Sequence, residues 1–471
     1  MAGRLVVVSN RVSLPTGRGG AGGLAVGLQS ALRERGGLWF GWSGKHSGEP
    51  SDVPEIVEQG RVTYALVDLS REEHRGYYAG FSNGELWPVC HYRTDLASHD
   101  PHAYATYRAV NRRFAAALKP LLRDDDLVWV HDYHLVPLGG ELRRLGCGQR
   151  LGFFLHIPFP AAEVFVTLPR HRELGADLAE YDLVGLQTRS DARQLVDYLT
   201  HEQGCVVESD ASAGVSHLAT CAGRRLEVLA DPIGVDVREV ERLAASAEAR
   251  RQAKTFGANL GNRRLVVGAD RLDYTKGIPL RLRAFEHLLR EQPALRGTVV
   301  MLQVSAPSRE EVPEYQNLRR SIERLVGHIN GRFGDHEWVP VHYVNRTYAR
   351  RALTGFFALS KAALVTPLRD GLNLVAEEYV VAQPQDDPGV LVLSRFAGAA
   401  EFLDGALITN PYDIAGTAEA LGRALTMPLP ERQERHARLM AAIRENDIAA
   451  WRRRFLDSLD TSRARRPAKA A

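Results

Sequence analysis

Cysteine is scarce. Four are present in 471 residues, Cys90, Cys147, Cys205 and Cys221, and no two lie closer than sixteen positions. That spacing excludes a zinc ribbon and a CxxC redox pair, so four reduced thiols in a reducing cytosol are expected. Charge of one sign is also lacking. Sixty Lys and Arg against fifty-seven Asp and Glu leave a net charge of +3, and part of that excess sits in the tail, residues 462–471, with three arginines and a lysine. A generic polyanion binder, and hence a nucleic-acid partner, is not expected. No apolar run approaches the length of a membrane span. The strand-like residues 5–9 at the N-terminus are too few for a signal-peptide core. A cytoplasmic protein with no membrane partner is the expectation. What remains is ordinary for a globular chain, 45% apolar and 25% charged. At this length two large domains fit.

Strand-like and helix-like stretches alternate. Apolar runs at 5–9, 128–131, 152–156 and 183–186 are accompanied by helical patterns at 24–35, 135–145 and 190–200. A second series begins at 265–269 and continues through a helix at 279–291, runs at 298–304 and 363–366, a helix from Leu374, runs at 390–394 and 406–409, and a helix from Ile414. Continuous apolar strands belong to parallel sheets covered on both faces, and their alternation with helices predicts an α/β fold. The less regular region 36–93 reads as strands near 38–42, 61–69 and 86–89. A Pro/Gly break at Asp231-Pro232-Ile233-Gly234 separates the two series. The expected boundaries are 1–232, 233–446, a last helix within 447–460 and a disordered basic tail at 461–471.

Ligands of open α/β sheets bind beyond the carboxyl ends of strands, so the residues that follow each strand carry the functional reading. After 5–9 come Asn10 and Arg11, then a glycine-rich loop from Gly17 to Gly23 and a helix. Gly20, Gly22 and Ala25 fit G-x-G-x-x-A in form, but the next strand ends in Ser43-Gly44-Lys45 without the acid a dinucleotide ribose needs. The loop then reads either as an anion or sugar clamp beside Arg11 or as a solvent loop. His131-Asp132-Tyr133-His134 lacks the helical spacing of zinc ligands; Asp132 suits a polyhydroxylated ligand or a helix cap. His156, in Phe153-Phe154-Leu155-His156-Ile157-Pro158, sits at a strand end held by prolines, and pairing with Asp132 favours a functional role. Asp270-Arg271-Leu272-Asp273-Tyr274-Thr275-Lys276-Gly277 places two cations before a helix, which makes either a diphosphate trap or a surface ionic network. It is not a P-loop, since G-x-x-x-x-G-K-[ST] is absent. In Thr366-Pro367-Leu368-Arg369-Asp370-Gly371-Leu372-Asn373, a turn leads into a helix whose free N–H groups can meet phosphate. Of Glu377 and Glu378, one could serve the helix dipole and the other grip a ribose.

The runs LVVVSNR, GGLAVGL, LWFGWSG, FSNGELWP, HDYHLVP, HIPFP, ADRLDYTKGI and TPLRDGLNLVAEEYV occur here in that order and together resemble the trehalose-6-phosphate synthases, retaining sugar-nucleotide glycosyltransferases of family 20. The resemblance covers residues 4–459. It implies a GT-B fold, two Rossmann-like domains facing each other across a deep cleft, with the last helix returning to the N-terminal domain. It implies no metal and no cofactor. The reaction implied is transfer of glucose from a nucleotide-diphospho-glucose, commonly UDP-glucose, to glucose 6-phosphate. By matching motif, Arg11 and Arg309 would hold the acceptor phosphate, with Trp42, Tyr78 and Trp87 lining its pocket and Asp132 near the reacting sugars. His156 would bond the donor glucose, Arg271 and Lys276 the diphosphate, and Asp370 the donor hydroxyls. Backbone N–H groups of Gly371, Leu372, Asn373, Leu374 and Val375 would complete that site. Glu378 would hold the ribose, and Gly23 would belong to a loop closing over the donor. A catalytically silent sugar-phosphate sensor and a pseudo-sugar transferase are the alternatives. The nucleobase and oligomeric state, a homo-oligomer included, stay open. A separate phosphatase is expected to act on the product.

Overall fold

The computed structural model describes residues 3–14, 23–208, 216–309 and 312–462. They fall into two compact units, the described residues of Met1–Ile233 with those of Trp451–Ala471, and Gly234–Ala450.

The first unit is built on β1 (Leu5–Arg11), β2 (Gly37–His46), β3 (Glu55–Gln59), β4 (Val62–Leu69), β5 (Leu127–His131), β6 (Arg150–Phe154), β7 (Leu183–Leu186), β8 (Val206–Glu208), β9 (Ser216–Cys221) and β10 (Arg224–Ala230). Their spatial order is β3-β4-β2-β1-β5-β6-β7-β10-β9-β8. From β4 to β10 every pairing is parallel, and β3, β9 and β8 add antiparallel edges. The run Leu5-Val6-Val7-Val8 is at most 1% exposed, as a strand covered on both faces requires. The helix Ile448–Thr461 supplies part of that cover. Trp451 and Phe455 lie 4.8 and 4.7 Å from the Trp129 ring of β5, and Arg454 is 2.6 Å from the buried Asp231 carboxylate.

The second unit holds β11 (Arg264–Arg271), β12 (Val299–Ala306), β13 (Val341–Val344), β14 (Ala362–Val365), β15 (Val390–Ser394) and β16 (Leu407–Thr409). All pairings are parallel, in the order β13-β12-β11-β14-β15-β16. Numbered from β11, this is 3-2-1-4-5-6, the doubly wound Rossmann order. The parallel strands of each sheet reverse their winding once, between β1 and β5 in the first unit and between β11 and β14 in the second. The connections leave a crevice beyond the strand ends at such points.

Several expectations are corrected. Residues 86–89 are not a strand. A π-helix, His74–Leu86, runs into the helix Trp87–Cys90. Its buried residues include Tyr77, Phe81, Ser82, Glu85 and Leu86, a spacing of four to five that fits i→i+5 bonding. A short apolar run such as Leu86–Val89 does not reveal that period. The helical pattern at 135–145 splits into a 3₁₀ turn, Tyr133–Leu135, and the helix Leu138–Arg144, with Pro137 between them. The strand expected at 152–156 ends at Phe154, which leaves His156 in the following loop. The expectation of four thiols is overturned as well: Cys205 and Cys221 form a disulfide. Antiparallel β8 and β9 pair Val206 with Thr220, so the residues just outside that pair, 205 and 221, stand opposite one another. Cys90 and Cys147 are buried and outside any disulfide. Most of the glycine-rich loop and the tail from 463 onward lie outside the described residues, and Gly23 opens the helix Gly23–Arg35. Among the described residues, no helix is long and apolar enough to cross a membrane.

Candidate active site

At the first reversal, β1 ends in Asn10 and Arg11 beside the end of β5, since Ser9 pairs with His131. The exposed Arg11 guanidinium lies 5.8 Å from the Trp42 ring of β2 and runs over Gly44, where a Cβ would stand 2.7 Å from Arg11 Nε. Gly44 also has φ +88°, so the position favours glycine on two counts. From Trp42 the rings continue in a ladder. His74 is 5.1 Å away, Tyr78 stacks on His74 at 4.9 Å, and His134 stacks on Tyr78 at 5.5 Å. Tyr133 follows at 3.9 Å and Trp87 at 5.7 Å. Trp42, Tyr78 and Trp87 thus come from a strand, a π-helix and a short helix into one aromatic wall with Arg11 at its end. Tyr77 Oη donates to Asn10 Oδ1 at 2.9 Å and Tyr133 Oη to Asn83 Oδ1 at 2.8 Å, which ties the π-helix to the ends of β1 and β5. Flat ring faces with a cation at one end suit a phosphorylated sugar.

Asp132 follows β5 with φ 76° and ψ 164°, a region a non-glycine residue enters at a cost of about 1–3 kcal/mol. Its side chain makes no cap to the 3₁₀ turn. Instead Oδ1 accepts the His156 backbone N–H at 3.1 Å, so Asp132 and His156 are brought together. The His156 ring is held by a directed relay. Ile233 N–H donates to Gln187 Oε1 at 3.0 Å, which orients the amide so that Gln187 Nε2 faces His156 Nδ1 at 3.3 Å. His156 Nε2 then carries the proton and donates to His131 Nδ1 at 3.1 Å. Burial pulls the His156 pKa down to about 3, and burial followed by the neighbouring ring drives His131 well below its ordinary value. Both imidazoles are neutral at pH 7. They can orient a hydroxyl but cannot serve as cations.

At the second reversal, Arg271 closes β11 and is exposed, while Lys276 lies in the 3₁₀ turn Tyr274–Lys276. Lys276 Nζ is 2.5 Å from Asp370 Oδ2 beyond β14, and Asn373 Nδ2 donates to the same oxygen at 2.9 Å. Gly277 permits this approach. Its φ is +66°, and a Cβ there would sit 2.3 Å from the Thr366 carbonyl oxygen. Leu368 N–H bonds Thr275 O at 2.7 Å, joining the two loops. The helix Leu374–Val381 starts after Asn373, which has φ 81°; Ala376 N–H donates to the Asn373 carbonyl at 3.1 Å, and the N–H groups ahead of it carry the positive end of the helix dipole. The two glutamates divide. Glu377 is wholly buried and accepts Val235 N–H at 3.0 Å, and burial lifts its pKa to about 8. Glu378 meets Arg350 Nη2 at 2.8 Å; burial raises its pKa and Arg350 opposes the rise. Arg309, with φ 49°, is 7% exposed at its side chain and lies 3.3 Å from Asp273 Oδ2.

Comparison with known proteins gives this arrangement a family. The model of Glycosyltransferase family 20 matches residues 10–461. The chain belongs to that family. A trehalose-6-phosphate synthase of Sinorhizobium fredii is 48% identical over 464 residues, 98% of either chain, and one of Salmonella typhi is 45% identical over 98% of this chain and 96% of its own. Among solved structures, an alpha,alpha-trehalose-phosphate synthase (UDP-forming) from Burkholderia xenovorans in complex with glucose-6-phosphate matches with TM-score 0.92 and 48% identity, covering 97% of this chain and 100% of that one. The E. coli protein bound with UDP-2-fluoro glucose matches with TM-score 0.93 and 44% identity, covering 98% and 100%. This family-20 chain has the α/β GT-B fold, with one parallel-stranded sheet in each unit. Motif reading missed the residues that hold its named ones in place: His74 between Trp42 and Tyr78, Gln187 on His156, Arg350 on Glu378, and Asp273 with Tyr315 on Arg309. His74, Gln187, Arg350 and Tyr315 lie outside the quoted runs, since each acts through a contact with a distant segment, whereas Asp273 lay within ADRLDYTKGI without an assigned role. His134 lay within a quoted motif, HDYHLVP, but its stacking on Tyr78 depends on the π-helix.

Proposed function

We propose that the chain is a trehalose-6-phosphate synthase that transfers glucose from UDP-glucose to glucose 6-phosphate, with retention, giving α,α-trehalose 6-phosphate and UDP. The observation that carries this reading is the second reversal, where Arg271, Lys276 and a helix N-terminus converge beside Asp370. That is a place for a leaving diphosphate next to a group that can bond sugar hydroxyls. Residues 1–232 form the acceptor domain and 233–446 the nucleotide-sugar domain. Arg11 and Arg309 take the acceptor phosphate, and Trp42, Tyr78 and Trp87 line its pocket. Asp132 and the neutral His156 orient the sugars. Arg271 and Lys276 take the diphosphate together with the N–H groups of residues 371–375. Asp370 bonds the donor glucose, Glu378 the ribose, and Gly23 belongs to the loop over the donor.

The chemistry is front-face attack. The acceptor's anomeric hydroxyl bonds the donor C1, the bond from C1 to the diphosphate oxygen breaks on the same face, and that oxygen receives the hydroxyl proton. The charge of the leaving group is met by side-chain cations and a helix dipole, so divalent metal is not required. A silent relative would lack one of these cations or carboxylates, whereas Arg271, Lys276, Asp370 and Glu378 are all present. Both substrates are multiply charged and do not cross membranes unaided, which supports a cytoplasmic activity. A separate phosphatase acts on the product.

The test is to incubate the protein with glucose 6-phosphate and each nucleotide-glucose in turn, with and without chelator. UDP release together with a non-reducing disaccharide phosphate, undiminished by chelator, is expected, and Lys276→Ala should abolish most turnover in a folded protein. No disaccharide phosphate from any donor would refute the function. Strict dependence on added magnesium would refute the metal-free diphosphate site alone.

A further inference from the structure

Asp273 lies two residues beyond β11 and is wholly buried, between the diphosphate turn and Arg309. Its two oxygens do different work. Oδ1 accepts the Thr275 backbone N–H at 3.0 Å and thereby fixes the turn that carries Lys276. Oδ2 accepts from Tyr315 Oη at 3.1 Å and from Arg309 Nη1 at 3.3 Å. Arg309 Nη1 also bonds the Tyr315 hydroxyl, and its guanidinium lies 5.4 Å from the Tyr315 ring, at the start of the helix Pro313–Phe333. A left-handed φ at Arg309 persists only where neighbours hold it. Among the described residues, a buried carboxylate and a phenol bond its guanidinium. Burial pushes the Asp273 carboxyl up, but Arg309, Arg271, Lys276 and the Thr275 N–H together hold it below the ordinary carboxylate value, so it stays charged at neutral pH.

We propose that Asp273 is the positioning residue of acceptor-phosphate recognition, anchoring Arg309 to the same turn that presents Lys276 to the donor diphosphate. This rests on the reading above in which Arg309 holds the phosphate of glucose 6-phosphate. An arginine fork has five N–H donors, and a carboxylate on its Nη1 end fixes the direction in which the others point. The turn that carries Lys276 and the phosphate-binding arginine then share one anchor, with Tyr315 as its second point of attachment.

Asp273→Asn separates the two tasks. The amide oxygen still accepts Thr275 N–H, while the new NH₂ group faces the Arg309 N–H donor against donor, and the Tyr315 hydroxyl can turn to accept from it. Binding of glucose 6-phosphate and of UDP to the full chain, each measured by calorimetry, should show the glucose 6-phosphate Kd rising about tenfold or more and the UDP Kd changing by less than about threefold. A merely structural role would weaken both alike, and equal weakening would overturn the proposal. Arg309→Ala and the double variant close the cycle. The losses on glucose 6-phosphate should be strongly non-additive, and independent, multiplying losses would overturn the anchor. If Arg309→Ala itself leaves the glucose 6-phosphate Kd unchanged, the phosphate assignment of Arg309 is at fault rather than the role of Asp273 as its anchor. Should Asp273→Asn fail to fold, Tyr315→Phe removes one bond to the same carboxylate. It should weaken glucose 6-phosphate and spare UDP, and no change in glucose 6-phosphate binding would refute the proposal.

Discussion

Removing Arg281 should destabilise the unit that carries the turn Tyr274–Lys276. Arg281 lies on the helix Ile278–Glu291, and its side chain has no exposure. Nη1 donates to Asp270 Oδ2 at 2.5 Å and to Gln303 Oε1 at 3.1 Å, Nε to Thr366 Oγ1 at 3.0 Å, and Nη2 to the Lys276 carbonyl at 3.2 Å. One guanidinium thereby gathers the ends of β11, β12 and β14. In Arg281→Ala the Asp270 carboxylate, 2% exposed, is left buried beside a cavity. Breaking a buried pair from one side costs about 3–5 kcal/mol. At about 2–4 °C per kcal/mol for a unit of this size, its melting transition should fall by roughly 6–20 °C. Calorimetric melting of the full chain reads this. The paired substitution sharpens the test, because most of the cost is the unpaired charge rather than the lost bonds. Asp270→Asn in the Arg281→Ala background should recover part of the loss. A single variant melting within about 2 °C of the parent would refute the reasoning, and so would a double variant less stable than Arg281→Ala.

Arg11→Ala should raise the KM for glucose 6-phosphate far more than that for the donor, as steady-state kinetics on both substrates will show; plain glucose reacting as efficiently as its phosphate would contradict the pocket. Protein quenched during turnover should have its unmodified mass, and Asp132→Asn and Asp370→Asn should be slow yet active. A glucosyl adduct on either aspartate would replace front-face attack with double displacement and leave the substrates standing. His156 sets one acid limit. Its folded pKa of about 3 lies below the ordinary histidine value, so the unfolded chain binds the extra proton first. The stabilisation is complete above about pH 6.5, declines as pH falls through that value, and is gone near 3. Chemical denaturation from pH 7 to 4 should therefore show a shallower decline for His156→Gln than for the parent, and an equal decline would place the titrating group elsewhere.

Strand identity in this chain is a local property. The runs at 5–8 and 390–393 are apolar at every position, the pattern expected of a strand covered on both faces. The chemistry placed just after such runs was legible for the same reason. In a parallel sheet the residues following a strand reach one edge of the sheet, so Arg11, Asp132, Arg271 and Asp370 could be named from their distance to a strand end. Where the pattern was short or mixed, the reading failed or fell silent. The run Leu86–Val89 has too few residues to declare a period, and its helical state follows from the buried π-helix before it. The helix Pro313–Phe333 and the edge strand β13, whose burial alternates weakly, were not anticipated.

Tertiary structure decided the partners. Nothing near Glu377 and Glu378 says which one turns inward. The answer came from Val235 N–H on one side and Arg350 on the other. Cys205 and Cys221 meet because an antiparallel register sets them opposite, a relation across sixteen positions that composition does not carry. His156 is neutral because Gln187, His131 and the surrounding rings enclose it, and Arg309 is oriented because Asp273 is buried beneath it. Residue type and distance from a strand end are fixed along the chain. Charge state, tautomer and direction depend on which other segments pack against a side chain, and loop closures across tens to hundreds of residues decide that.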